Sequence, residues 1–403
     1  MPDLIHGEGT VPGAELEMRR RNLQRRMIAA GLDAAVVMQN ADLYYFTGTL
    51  QSGLLYIPAE GEPLYLVRRD ESRARCESSL CRIVPFDSFR QLAVLLADSG
   101  LPRADRVGLE LDVLPVATYR RLHSALGEPS VGDLTPHIRT LRAIKSDFEL
   151  QHMRRAAVQL DEGWRLATEL AREGLSDLEL VVALEGRARR NGHPGYARMR
   201  AFNGEIAMGT VLIGADGAVP SFRNTPLGGV GLHPSIGFGP SGKRMVRGEA
   251  VTVDLVGYCG GYLADQTRTF ALGSLDRDLC RAYDAMCRIQ ALLMGIARPG
   301  AVWGELYDEC CRFAAGLGYA EHFMGTPAAR VPFIGHGIGL EIDEYPFIAR
   351  NMHDRVLEAN MTFAFEPKAV FPGRGAVGIE NTFVVTPDGL ESLTISDETL
   401  RIL

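Results

Sequence analysis

The stretch EAVTVDLVGYCGGYLADQTRTF, residues 249–270, decides how the rest of the chain is read. Apolar and polar residues alternate on both sides of Cys259-Gly260, which predicts two antiparallel strands joined by a two-residue turn. With the turn centred there, Asp254 and Asp265 stand opposite each other on one face, with Cβ atoms about 4.5–5.5 Å apart. Like charges so placed destabilise a sheet unless something cationic lies between them.

A later stretch, MTFAFEPKAVFPGRGAVGIENTF at 361–383, repeats the arrangement. With Pro372-Gly373-Arg374 as a three-residue loop, Glu366 opposes Glu380. One acid alone in a strand reads as solvent-facing, but two matched pairs on largely apolar strands would be costly as bare charges. Divalent cations remove that cost. Both registers rest on the turns, because a slip of one residue sends alternate side chains to the other face.

Between the hairpins, FIGHGIGLEIDEYP at 333–346 sets His336 between glycines, where backbone can approach a ligand closely. One imidazole and four carboxylates make a hard, oxygen-rich ligand set suited to Mn²⁺, Co²⁺, Fe²⁺ or Zn²⁺. Four carboxylates exceed what one small cation needs, so two ions about 3.5–4 Å apart are expected.

The remainder of the chain gives these hairpins a setting. Its 403 residues suffice for two or three domains, and 46% hydrophobic with 23% charged residues is an ordinary globular composition. A net charge of −7 offers no general attraction to phosphate backbones or anionic lipid. The arginines at 19–21 and 25–26 fall at helical spacing among apolar residues and read as a solvated helix face. No apolar run approaches the ~20 residues that span a bilayer, and MPDLIHGEGTVPG lacks the features of an export leader, so a cytoplasmic location is expected. The seven cysteines form no CxxC pair or zinc spacing and read as buried thiols.

Along the chain, LEMRRRNLQRRMIAAG followed by DAAVVM predicts a helix and a buried strand, and GLLYIP, PLYLVR and CRIVPF add strands. GDLTPHIRTLRAIKS, around 132–145, reads as a polar connector, which gives an α/β domain over 1–140 and a second domain over 141–403. The second begins with helical periodicity over 146–192. It continues with strands and with helices at 276–297 and 302–317, so that an acidic hairpin followed by helices reads as occurring twice, a weak internal duplication.

These residues resemble the creatinase, prolidase and aminopeptidase P family, with the pita-bread fold. NADLYYFTGT at the end of 17–49 resembles the opening of a creatinase-type N-terminal domain, and PHIRTLRAIKSDFELQHMRRAA resembles the entry to the catalytic domain. VDLVGYCGGYLADQTRTF, GHGIGLEIDEYP, FAFEP and GIENTFVVTPDG match the metal motifs in the family order Asp, Asp, His, Glu, Glu. The resemblance implies an α/β fold whose pita-bread domain surrounds a dinuclear site with pseudo-two-fold hairpins. Asp254 would hold one metal, Asp265 and Glu380 would bridge both, and His336 and Glu366 would complete the second. It further implies Mn²⁺ as the expected metal, a bridging water as nucleophile, Glu366 as proton shuttle, cleavage of Xaa-Pro peptides, and a homodimer whose N-terminal domains cap the sites. No nucleic-acid or membrane partner is expected.

Three positions depart from the family pattern. The peptidases carry a second histidine seven residues after the ligand histidine, where this chain has Asp343, which reads as a catalytic base or as an acceptor holding His336. Another histidine is usual about 17 residues before the first Asp. Here that neighbourhood is SIGFGPSG, and His233 is the nearest substitute for substrate binding. An Arg two before the last Glu is replaced by Gly378, with Arg374 as a possible replacement. Arg198, Arg200 and Arg223 are further places for a substrate carboxylate, and Tyr196 and Phe202 read as packing residues. The alternative on the same fold is a metal-dependent hydrolase or lyase of a small metabolite.

Overall fold

Local signals fix the helices that carry the sheets. The computed structural model describes residues 10–403; the first nine, part of the stretch read above for a leader, lie outside the described residues. Among the described residues, no helix is long and apolar enough to cross a membrane. The chain divides into two compact units, Met1–Arg142 with Ala201–Asn203, and Ala143–Arg200 with Gly204–Leu403.

In the first unit, strands β1 (Ala34–Val37), β2 (Gly53–Pro58), β3 (Leu64–Val67), β4 (Ile83–Pro85), β5 (Arg106–Leu109) and β6 (Ser130–Asp133) form one mixed sheet in the order β4-β3-β2-β1-β5-β6. Val36, Leu54, Leu66 and Val107 share a core with Leu92, Leu96 and Leu122. The NADLYYFT segment is a helix, Asn40–Thr47, closed by Gly48 at φ 72. Its Asp42 is buried against Arg142 at 2.6 Å. The stretch expected to be a polar connector instead forms β6 and a helix, Thr135–Ala143. Pro136 does not prevent this, because a first-turn residue has no intrahelical N–H bond to lose.

The second unit opens with two helices, Asp147–Leu170 and Asp177–Arg190. Each starts with a reciprocal box, Ser146 with Glu149 and Ser176 with Glu179, that satisfies otherwise orphaned amides. Trp164, Leu180 and Leu184 from these helices pack on Val211, Val253 and Phe270. The latter three belong to β7 (Gly209–Ile213), β8 (Ala250–Cys259) and β9 (Tyr262–Ala271).

Two more helices, Arg277–Ile296 and Trp303–Gly316, share a core with the second set of strands. These are β10 (Phe333–Ile338), β11 (Ile342–Ala349), β12 (Thr362–Phe365), β13 (Lys368–Phe371), β14 (Gly375–Gly378), β15 (Asn381–Thr386) and β16 (Gly389–Ser392); the exposed β17 (Arg401–Ile402) pairs with β9. The sheets run β11-β10-β12-β15-β16, β13-β14 and β17-β9-β8-β7.

Candidate metal centre

The β8–β9 hairpin turns one residue later than the sequence suggested. Cys259 pairs with Tyr262, leaving Gly260-Gly261 as the turn, at φ 57 and 96. Both central residues need positive φ in the turn whose twist matches a hairpin, so the glycine pair displaces Cys259 from the loop. The ladder therefore sets Asp254 opposite Thr267 and Asp265 opposite Val256. Asp254 and Asp265 are diagonal neighbours rather than a direct pair. The shift is an even number of positions, which keeps both on the same face.

The second hairpin has the expected register. Phe371 pairs with Gly375 and Lys368 with Gly378 across the loop 372–374, and Phe365 pairs with Asn381 in the same frame. Glu366 and Glu380 lie between these two ladders, where each donates its amide elsewhere. Glu366 N–H reaches Ile334 O at 2.9 Å, and Glu380 N–H reaches Thr267 O at 3.1 Å. Those two bonds tie the acidic corner to the strands carrying His336 and Asp265.

The structure brings the five residues named as metal ligands into one region of the second unit. Ligand atoms of Asp265, His336 and Glu380, all buried, lie within 4.8 Å of one another. His336 Nε2 is 3.7 Å from Glu380 Oε1 and 3.8 Å from Glu366 Oε1. Asp254 is half-buried, within electrostatic reach of Glu380 and Glu366. Asp265 Oδ1 is buried without a hydrogen-bond partner, while its amide donates to Thr382 Oγ1 at 2.8 Å. A buried carboxylate oxygen left unpaired beside an imidazole and another carboxylate is what a divalent cation satisfies, and the donor set fits one.

The electrostatics follow from crowding acids in a dry site. Burial, with the charge of Glu380 adding to it, raises Asp254 to about 7 and Asp265 well above the carboxylate range. Burial would raise Glu380 as well, but Lys368 and His336 hold it down near 2. For Glu366, burial outweighs the opposing charge of Lys368, and its pKa is raised. Burial alone would depress His336; the Glu380 carboxylate facing its Nε2 and the charges of Asp343, Glu366 and Asp265 instead raise it to about 10.

Several residues that sequence reading passed over build this corner. Lys368, fully buried, donates to Glu366 Oε2 at 2.8 Å and Glu380 Oε2 at 2.9 Å. Thr267 Oγ1 donates to Glu380 Oε2 at 2.6 Å. Arg268 clamps the backbone, donating to Glu380 O at 2.7 Å, Thr267 O at 2.9 Å and Asn381 Oδ1 at 2.7 Å. The spacing of Lys368, two residues after Glu366 in an extended segment, puts it on the same face but does not tell that the face is buried.

The residues expected outside the ligand set are placed differently from one another. Asp343, at φ 67, has Oδ1 3.9 Å from His336 Nδ1, on the side of the ring away from Glu366 and Glu380. That is a charge contact, longer than a hydrogen bond. His233 is exposed in a loop with Nδ1 2.8 Å from Ser235 Oγ. Arg374 occupies the loop end of the β13–β14 hairpin, opposite the end carrying Glu366 and Glu380, and pairs with Asp276 at 2.9 Å and Asp278 at 3.5 Å. Arg200 is buried 3.9 Å from Glu341, and Arg223 stacks 4.5 Å from the Phe238 ring centre. Tyr196 and Phe202, expected to pack, are 52% and 93% exposed. An aromatic residue in a Gly-rich region gives no periodicity from which burial could be read.

An all-buried Asp, His and Glu triad with further acids beside it is a donor set that could hold a divalent ion. The family model for metallopeptidase family M24 matches residues 151–387, and that for the creatinase/prolidase N-terminal domain matches 19–144. The chain belongs to metallopeptidase family M24, and it is a hydrolase. It is 27% identical to an Xaa-Pro dipeptidase of Pyrococcus horikoshii, covering 92% of this chain and 94% of the relative. It is 30% identical to a probable dipeptidase PepE of Mycobacterium bovis, covering 94% and 95%. The crystal structure of an Xaa-Pro dipeptidase from Bacillus anthracis matches with a TM-score of 0.82 at 25% identity, over 96% of this chain and 100% of that one.

Proposed function

We propose that this chain hydrolyses the peptide C–N bond of short Xaa-Pro substrates, using divalent metal held by Asp265, His336 and Glu380 with Asp254 and Glu366 beside them. The observation that carries the reading is the convergence of the first three ligand atoms within 4.8 Å around an Asp265 oxygen that nothing else satisfies. The names of the relatives support the substrate class.

A bound divalent ion supplies Lewis acidity, polarising a carbonyl and making water a nucleophile near neutral pH. The chain's own residues do the rest. Asp265 and Glu380 fix the position of positive charge, and Thr267 and Arg268 hold Glu380 still. Glu366 Oε1, on the Nε2 side of His336, takes the proton released by the attacking water and returns it to the leaving nitrogen. Asp343 acts behind His336, keeping the ring oriented. His233 and Arg374 belong to substrate binding in this reading only if their loops close on substrate. Mn²⁺ is the metal we expect, and a cytoplasmic homodimer the working form.

A second reading, hydrolysis or lysis of a small non-peptide metabolite, is favoured by one observation. Asp343 stands where the resemblance places a histidine, and an anionic carboxylate cannot donate to a developing oxyanion. Assay of the purified chain with Mn²⁺ or Co²⁺ against Xaa-Pro dipeptides and Xaa-Pro-Yaa tripeptides tests the choice. We expect cleavage that chelator abolishes and that Glu366→Ala lowers by about 10²-fold or more. Bound metal with no peptide cleaved at all would leave the second reading in its place.

A further inference from the structure

On the metal-binding reading just given, we infer that Lys368 fills the position of a second cation, so that the ligand set takes a single divalent ion, on Asp265, His336 and Glu380. The argument is one of lone pairs and charge. Glu380 Oε2 already accepts from Lys368 Nζ at 2.9 Å and from Thr267 Oγ1 at 2.6 Å. A carboxylate that bridges two ions gives one oxygen to each, and an ionised oxygen has about two acceptor sites. Glu380 therefore has only Oε1 to offer, the oxygen that faces His336 Nε2. Glu366 is divided in the same way, with Oε2 on Lys368 at 2.8 Å and Oε1 toward His336.

The cross-strand partner of Lys368 is Gly378, where a Cβ would stand 2.5 Å from Pro367 O, 2.9 Å from Lys368 Cα and 3.1 Å from its Cγ. The two backbones thus approach closely beside the lysine, whose ammonium is fully buried among the acids. Charge bears on it too: the buried ammonium already offsets one of the four carboxylate charges that a second dication would otherwise neutralise. Among the described residues, the group with ligand atoms close enough to hold an ion comprises Asp265, His336 and Glu380 without Asp254 or Glu366.

The test counts metal. The full chain is stripped with chelator, reloaded with Mn²⁺, freed of excess ion, and measured by inductively coupled plasma mass spectrometry and electron paramagnetic resonance. Wild type should hold about one Mn²⁺ per chain with an uncoupled six-line spectrum, and Lys368→Met about two, with the broadened spectrum of an exchange-coupled pair. Lys368→Arg, which keeps the cation, should stay near one. Circular dichroism confirms that the variants are folded, and the wild-type count needs no variant. Two ions in wild type, or one in a folded Lys368→Met, would overturn the inference. No ion in wild type or in either variant would instead defeat the metal reading beneath it.

Discussion

Arg268 makes no contact with a reacting group, yet the position of Glu380 depends on it. Buried in β9, it donates to three backbone carbonyls besides that of Glu380, those of Thr267, Ser396 and Asp397, and to Asn381 Oδ1. Truncation leaves several buried acceptors unpaired at about 1–3 kcal/mol each. Arg268→Ala should therefore lower unfolding stability by about 3 kcal/mol or more in urea titration and weaken Mn²⁺ binding as well. A variant that keeps both would show that Glu380 is held by its strand alone. His193 offers a different test. Burial, partly offset by the nearby Val256 backbone and reinforced by Arg189, lowers it from 6.5 to about 4, and its Nδ1 accepts from Gly195 N–H at 2.9 Å. Between those values the unfolded chain binds a proton that the folded chain does not. Its contribution is complete above pH 6.5 and declines as pH falls toward 4. Urea midpoints should drop further between about pH 7 and pH 5 in wild type than in His193→Asn. Equal drops would mean the ring titrates normally.

The two acidic hairpins show what strand pattern reveals and what it conceals. Alternation gave the second register directly, because Pro372 and Gly373 allow few ways to close the loop. The first was offset, since Gly260 and Gly261 both accept positive φ and the turn settles on them. The four acids were still legible, because an even shift preserves the face. Lys368 was not: a lysine in a strand ordinarily points to solvent, and only the packing of three sheets at one corner buries it. Close approach of elements was equally invisible. A Cβ on Gly257 of β8 would stand 2.2 Å from Ala156 O in the helix Asp147–Leu170. Gly257→Ala must push that helix from the sheet, at a cost of about 1–3 kcal/mol. Thermal unfolding should show the loss, and an unchanged midpoint would mean that the helix is not held so near.

Across the chain, helices with strong periodicity and strands with glycine-rich turns were readable from local chemistry, and so was the α/β character of both units. The stretch around 132–145 was misread because its polar residues and Pro136 resemble a linker, while burial of Leu134, Ile138 and Ala143 makes it structure. The substrate side of the centre was least legible. His233, Arg374 and Arg223 come from loops or turns whose positions no periodicity fixes, whereas Asp254, Asp265 and His336 lie in strands and Glu366 and Glu380 in short links between paired strands. Everything proposed for activity returns to whether a cation sits among those strands. Anomalous scattering from crystals grown with Mn²⁺ tests this most directly. A peak should appear within about 2.0–2.3 Å of Asp265, His336 Nε2 and Glu380 Oε1. Fully loaded crystals whose only peaks lie elsewhere, with Asp265 still unpaired, would contradict the account.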